Sequence, residues 1–352
     1  MYLDLVKIFV PTTFAFFLGI FITPLATHFF YKYKMWKKKA RSEDITSADF
    51  KLIHQQKEET EISTPCVGGI VIWVSALFTV FVFFLLSVIF PNDLFSKLNF
   101  FSRSQTFIPV GIFILGAILG LVDDVLEIRG KVDITRNSAW YTRIKLFIIT
   151  ILGLLAGFWF FFKLDMHSVH IPFNGNVELG ILFILFVVIV MLSTFSGGVI
   201  DGLDGLSGGV LASIFGAYSV IAFVNNQIDL ATFSGVVTGA ILAFLWFNIP
   251  PARFYMGETG MMPLTITLAT IAFLTDTVLI LPIIAFPLVI TSASSSLQLL
   301  AKKFFGKKVF RVAPLHHHFE AIGWPSYKVT MRFWVLAVVS AIIGIILAVI
   351  SR

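Results

Sequence analysis

The sequence predicts an all-α polytopic membrane protein with about ten transmembrane helices, a small outward hairpin and both termini outside. Three observations support this. The 352 residues are 57% hydrophobic and only 13% charged, with a mean hydropathy of +0.92, too apolar for an ordinary soluble domain. Ten apolar runs each approach the ~20 residues that cross ~30 Å of hydrocarbon. Finally, 21 of the 26 Lys and Arg residues fall in loops 31–64, 122–146, 249–262 and 299–332, which share one face when the runs alternate. The positive-inside bias makes that face cytoplasmic.

The runs lie at 8–30, 67–90, 106–122, 144–163, 179–195, 206–224, 231–248, 261–275, 277–298 and 332–350. The first exceeds 20 residues without a small-residue cleavage site and is expected to stay as a helix. Asn174-Gly175, between short β-prone flanks in 169–179, is the turn signal for the hairpin. Beyond Leu297, Lys302, Lys303, Lys307 and Lys308 extend the ninth run as a helix leaving the membrane along anionic lipid headgroups. No repeat or low-complexity linker divides the chain, so residues 1–352 are expected to form one integral domain. The single cysteine, Cys66, excludes an intrachain disulfide and a cysteine-rich zinc site. The net charge of +6 is explained by topology and membrane lipids, and no nucleic-acid partner is expected.

The polar chemistry gathers at the basic face. His316, His317 and His318 are adjacent in the loop from Val309 to Glu320, while the other four histidines are scattered. Imidazoles packed this densely at a membrane boundary suit an anionic substrate, although solvated loop histidines would give the same string. Asp123 and Asp124 close the third run, Asp201 and Asp204 precede the sixth, and Glu258 stands in Tyr255-Met256-Gly257-Glu258-Thr259-Gly260. A charge at helix-centre depth costs about 2.5–3.5 kcal/mol, so carboxylates kept at this boundary are paired, hydrated or functional. The three-residue spacing of Asp201 and Asp204 puts both on one face if the segment is helical; an ordinary N-cap needs only one of them. Ser196-Gly197-Gly198 and Ser207-Gly208-Gly209 offer backbone N–H groups to a phosphate. Hard oxygen ligands, imidazoles and cationic loops together suit Mg²⁺ and a diphosphate. Lys131 and Arg143 of the 122–146 loop are expected among the substrate-binding cations.

In chain order, Thr64-Pro65-Cys66-Val67-Gly68-Gly69, Asp123-Asp124, Asp201-Gly202-Leu203-Asp204-Gly205-Leu206, Trp246-Phe247-Asn248, Pro250-Pro251-Ala252 and Met256-Gly257-Glu258-Thr259-Gly260 resemble the polyprenyl-phosphate N-acetylhexosamine-1-phosphate transferases. So does the stretch from Ala313-Pro314-Leu315-His316-His317-His318-Phe319-Glu320 through Gly323-Trp324-Pro325 to Arg332-Phe333-Trp334. This last block favours the branch of the family that uses a muramoyl-pentapeptide donor. The resemblance implies transfer of phospho-MurNAc-pentapeptide from UDP-MurNAc-pentapeptide to undecaprenyl phosphate, giving lipid I and UMP for peptidoglycan synthesis at the bacterial inner membrane, with a cytoplasmic active site. It implies that Asp123, Asp124 and Asp201 are catalytic, that Glu258 with Asp201 holds Mg²⁺, and that Asp204, Asn248, Tyr255 and the three histidines bind substrate. Homodimer formation stays open.

The sequence departs from the family pattern at several places. Glu258 stands for an aspartate, Met261 for a serine, Phe195 and Gly198 for asparagines, Cys66 for a threonine, and Glu61 and Glu127 for lysines. Two alternatives also remain: a related enzyme using another UDP-N-acetylhexosamine, and a transporter whose carboxylates line an ion path.

Overall fold

The computed structural model describes residues 2–38, 62–130 and 134–351, with side chains from residue 140 onward in the last stretch. In chain order, the helices before the hairpin are α1 Tyr2–Lys32, α2 Gly69–Ile89, α3 Asp93–Leu98, α4 Phe107–Ile128 and α5 Ile134–Lys163. The hairpin pairs β1 Ser168–Ile171 with β2 Gly175–Glu178. Then come α6 Leu182–Ser196 with a 3₁₀ turn at Gly197–Ile200, α7 Leu206–Val224, α8 Ile228–Asn248 and α9 Gly257–Leu274. The chain finishes with α10 Leu281–Ile284, α11 Phe286–Phe305, α12 Leu315–Ala321 and α13 Ser326–Ile350. Among the described residues, nine helices are long and apolar enough to cross a membrane: α1, α2, α4 to α9 and α13.

The run at 277–298 forms the exception. It breaks at Ala285 into α10 and α11, because Pro282 and Pro287 at their first turns supply no backbone N–H to a continuous helix. After the break α11 runs on to Phe305 as an amphipathic helix. Leu288, Thr291, Ser294, Gln298 and Ala301 are buried at three- and four-residue spacing, while Leu297, Leu299, Leu300 and Phe304 stay exposed. The hairpin forms as expected, but with a different turn. Ile171 pairs with Gly175, so Pro172, Phe173 and Asn174 make a three-residue loop and Phe173 takes the left-handed conformation at φ 65°.

Helix α9 is the axis of the bundle. In its most apolar window 89% of residues are buried, against 22% for α1, whose Phe9, Phe17, Phe21 and Leu25 face outward. Most threonine hydroxyls in and just after this buried helix are satisfied locally, Thr267 being the exception. Thr265 donates to the Met261 carbonyl at 2.8 Å, Thr270 to Thr267 at 2.7 Å and Thr275 to Ile271 at 2.9 Å. Helix α4 lies against α9 through Gly116 and Gly120, one turn apart: a Cβ on Gly116 would stand 2.7 Å from the Pro263 Cα, and one on Gly120 would collide with the Glu258 carbonyl. Small residues at this spacing let two backbones touch where lipid offers no hydrophobic drive to associate.

The two ends of the bundle differ. At one end Lys7 pairs with Asp229 at 2.5 Å, and the Ser351 carbonyl meets His170 Nε2 at 3.0 Å, which places both termini and the hairpin together. At the other end, the C-terminal ends of α4 and α8 meet the N-terminal ends of α7 and α9. All the carboxylates singled out from the sequence lie at this second end.

Gly116→Val should cost about 1–3 kcal/mol, as overpacking does in a tight core. Gly111→Val, at a position of the same helix with open space around it, should leave the melting temperature near wild type. Equal melting temperatures for the two variants would show that the α4–α9 contact is not tight.

Candidate active site

The spacing that places Gly116 and Gly120 against α9 carries Asp124 onto the same face of α4, four residues further on. Asp124 therefore meets the first turn of α9, whose opening N–H groups have no partner within the helix. Its Oδ2 accepts from the Thr259 amide at 2.8 Å and the Thr259 hydroxyl at 2.6 Å, and its Oδ1 accepts from the Glu258 amide at 3.2 Å. The next N–H back, that of Gly257, donates to Asp201 Oδ2 at 3.2 Å. Two carboxylates from other elements thus cap α9, where the helix dipole also favours negative charge. Gly257 permits the arrangement: its φ of 66° suits glycine, and a Cβ there would run into the Cys66 carbonyl and the Asp124 carboxylate.

Asp123, one residue earlier, is turned by the helix toward α5. Its carboxylate accepts from the Tyr141 hydroxyl and pairs with Lys145 at 2.6 Å. Lys145 also reaches Glu258 at 3.1 Å, so one ammonium joins carboxylates from α4 and α9. Tyr141 and Lys145 are four residues apart on one face of α5. Neither residue belongs to a motif visible in the sequence. The signal available for Lys145 is a cation at the start of the run 144–163, whose other charge, Lys163, closes its far end. The Glu258 side chain remains 34% exposed, whereas Asp124 is 2% exposed.

The segment Asp201–Gly205 is a turn rather than a helix, so Asp201 and Asp204 do not share a helical face. Asp201 Oδ1 accepts from the Ser207 hydroxyl at 2.7 Å, in addition to its contact with α9. Asp204 turns away and accepts from the Ala252 amide at 3.1 Å. Asn248 ties these loops together, accepting from the Gly205 amide at 2.9 Å and donating to the Phe254 carbonyl at 2.8 Å. Gly208 and Gly209 lie inside α7 against Leu245 and the Trp334 indole, which places them in helix packing instead of a phosphate loop.

The histidines form a helix, α12. His316 and His317 are buried with ring centroids 4.3 Å apart, and a Cβ on Gly202 would collide with both imidazoles, so α12 lies directly on the aspartate turn. His317 Nδ1 lies 2.7 Å from Glu320, whose other oxygen accepts from Ser326 at 2.6 Å. His318 Nδ1 accepts from the Arg311 amide at 3.3 Å. Helix α11 anchors the preceding loop through Gln298, which accepts from the Val309 and Phe310 amides at 3.0 Å each. The Tyr255 backbone bonds to Pro65 and Gly68, and its ring is half-buried. Arg143 is exposed on α5, and Lys131 lies outside the described residues, as does Glu61.

The family departures have visible surroundings. Glu127 pairs with Lys37 at 2.7 Å, and Met261 is buried beside Gly198. Cys66 is buried under Met35, and burial pushes its thiol up to about 12, with the Asp124 charge adding to the shift. Oxygens able to take a hard divalent cation are those of Glu258, Asp123 and Asp201. Among the described residues no three His, Cys, Asp or Glu side chains form a ready cage.

A glycosyl transferase family 4 model matches residues 106–276. The chain is 35% identical over 300 residues to a phospho-N-acetylmuramoyl-pentapeptide-transferase of Anoxybacillus flavithermus, covering 84% of this chain and 86% of the relative. It is 31% identical over 374 residues to the enzyme of that name from Corynebacterium efficiens, covering 96% of each chain. The chain belongs to the phospho-N-acetylmuramoyl-pentapeptide-transferase family. A further relative of that name, from Chloroflexus aurantiacus, is 33% identical over 84% of this chain. Within this family's frame, the glycosyl transferase match spans α4 through α9 and so contains Asp123, Asp124, Lys145, Asp201 and Glu258, while α12 and its histidines lie beyond it.

The Cys66 shift has a direct consequence. With its thiolate scarce at ordinary pH and its sulfur buried, Cys66 should resist maleimide at pH 8 in the folded protein and react fully in denaturant. Rapid labelling of the folded protein would show that the loop under Met35 opens.

Proposed function

We propose that this chain transfers phospho-MurNAc-pentapeptide from UDP-MurNAc-pentapeptide to undecaprenyl phosphate, forming lipid I and releasing UMP. The observation that carries the reading is the convergence of Asp123, Lys145, Glu258 and Asp201 around the start of α9, in a chain whose relatives bear the name of this activity. In the reaction an oxygen of the lipid phosphate attacks the sugar-side phosphorus of the diphosphate. A new P–O bond forms and the bond to the bridging oxygen breaks, leaving UMP.

Glu258 and Asp201 would hold Mg²⁺, which would supply charge neutralisation on the diphosphate. Asp123 orients the attacking lipid phosphate and takes its proton where that phosphate arrives protonated. Lys145 keeps Asp123 and Glu258 together and adds positive charge beside the transferring group. Asp124 acts as a positioning residue, through the α9 cap that fixes Glu258. The histidines of α12, with Tyr255 and Arg143, contact the nucleotide sugar. The site faces the cytoplasm of a bacterial cell, since most Lys and Arg residues lie on its side of the membrane. A transporter would concentrate its carboxylates midway through the bundle, whereas these gather at one end.

Purified protein with Mg²⁺ and polyprenyl phosphate should release UMP from UDP-MurNAc-pentapeptide at least about tenfold faster than from other UDP-N-acetylhexosamines. Preference for another UDP-sugar would overturn the donor assignment.

Asp123→Asn and Asp201→Asn should each lower turnover by about 10²-fold or more while expression is retained, and Lys145→Gln should do so more severely than Lys145→Arg. Near-normal UMP release from Asp123→Asn and Asp201→Asn would remove both carboxylates from the mechanism.

Glu258→Gln should raise the Mg²⁺ concentration needed for half-maximal activity, and Glu258→Asp should keep measurable activity. A magnesium titration that is unchanged in Glu258→Gln would leave Glu258 only its ion pair with Lys145.

A further inference from the structure

Helix α13 begins beside α12 and carries Lys328 and Arg332 one turn apart on one face. Both side chains converge on a single ring. Arg332 Cζ lies 4.1 Å from the Trp324 ring centroid and Lys328 Nζ lies 5.3 Å from it. Phe319 stacks on the same indole at 4.7 Å and 17°, holding Trp324 against α12. The nearest carboxylate in sequence, Glu320, is already engaged by His317 and Ser326. Among the described residues, no salt bridge joins Lys328 or Arg332 to an acid.

Two like charges at this spacing repel one another. Here an aromatic platform draws them together instead. The pair is coupled to the aspartate turn, because Thr330 donates to the Asp204 carbonyl at 3.2 Å and Trp334 to the Gly205 carbonyl at 3.0 Å from the same helix. It also sits at the end of a membrane-spanning helix, at the level where a lipid headgroup would lie.

We propose that Lys328 and Arg332, braced on Trp324, form a phosphate-monoester site at the membrane boundary beside the histidine helix. A dianionic phosphate would offset both cations, and the guanidinium fork would grip two of its oxygens. The group could arrive on a lipid or as free phosphate. The proposal rests on the transferase reading for a lipid phosphate as ligand and adds a binding site made of residues other than those around Asp123, which orient the attacking phosphate; its test needs no turnover.

The test measures binding of four probes to the full chain in detergent by native mass spectrometry: farnesyl phosphate, farnesol, inorganic phosphate and a short-chain phosphatidylglycerol. Farnesyl phosphate should bind more tightly than farnesol, and Lys328→Gln/Arg332→Gln should weaken it at least about tenfold. Arg332→Lys should recover part of the loss, and Trp324→Phe should show an intermediate one. Variant-sensitive binding of inorganic phosphate as tight as that of farnesyl phosphate would support the site with a soluble source. Farnesyl phosphate binding unchanged in the double variant would overturn the proposal, as would an equal loss of phosphatidylglycerol, which marks a general headgroup contact. UMP release by the wild-type protein tests the transferase reading separately, so either can fail alone.

Discussion

The close contact between α4 and α9 is the constraint on which the site depends. Gly116 and Gly120 remove the side chains that would hold the helices apart, and the same four-residue spacing delivers Asp124 to the opening turn of α9. An uncapped helix end buried in a bundle would leave N–H groups without water, at about 1–3 kcal/mol each. Asp124 and Asp201 satisfy them by accepting hydrogen bonds, and in doing so fix the rotation and depth of α9. Glu258 then has one direction in which to project, toward Lys145.

That geometry separates two adjacent aspartates into different tasks. Asp124 is directed into the protein and saturated by donors. Asp123, rotated about 100° around the helix, faces α5, where Tyr141 and Lys145 meet it. The lysine offsets two carboxylates that would otherwise repel one another at close range. Around this centre the remaining elements act as braces. Asn248 joins the aspartate turn to the α8–α9 loop, α12 covers Gly202, and α13 ties Asp204 and Gly205 through Thr330 and Trp334. The carboxylates come from three separate parts of the chain, so their relative positions depend on every one of these contacts.

Much of this was legible in the sequence, because membrane insertion leaves strong marks. Hydropathy located the spanning helices, and the bias of Lys and Arg separated the two ends of the bundle. The break at Ala285 was hidden within an apolar run, since hydropathy averages over Pro282 and Pro287. The polar cluster at the basic end could be seen as single residues, but not its wiring. Asp201 and Asp204 look like a helical pair until the turn separates them, and the glycines after Ser207 serve helix packing. Lys145 escaped notice because its partners, Asp123 and Glu258, are 22 and 113 residues away in the chain. A long-range ion pair leaves no local pattern.

Amide hydrogen exchange across the first turn of α9 is the most direct test of the cap. Asp124→Asn keeps the size of the side chain but replaces one acceptor oxygen by a donor facing the Thr259 amide. The amides of Glu258 and Thr259 should then exchange at least about tenfold faster than in the wild type, while Asp123→Asn leaves them near wild type. Unchanged protection in Asp124→Asn would contradict the account, because the start of α9, and the position of Glu258 with it, would then be held by something other than the carboxylate of α4.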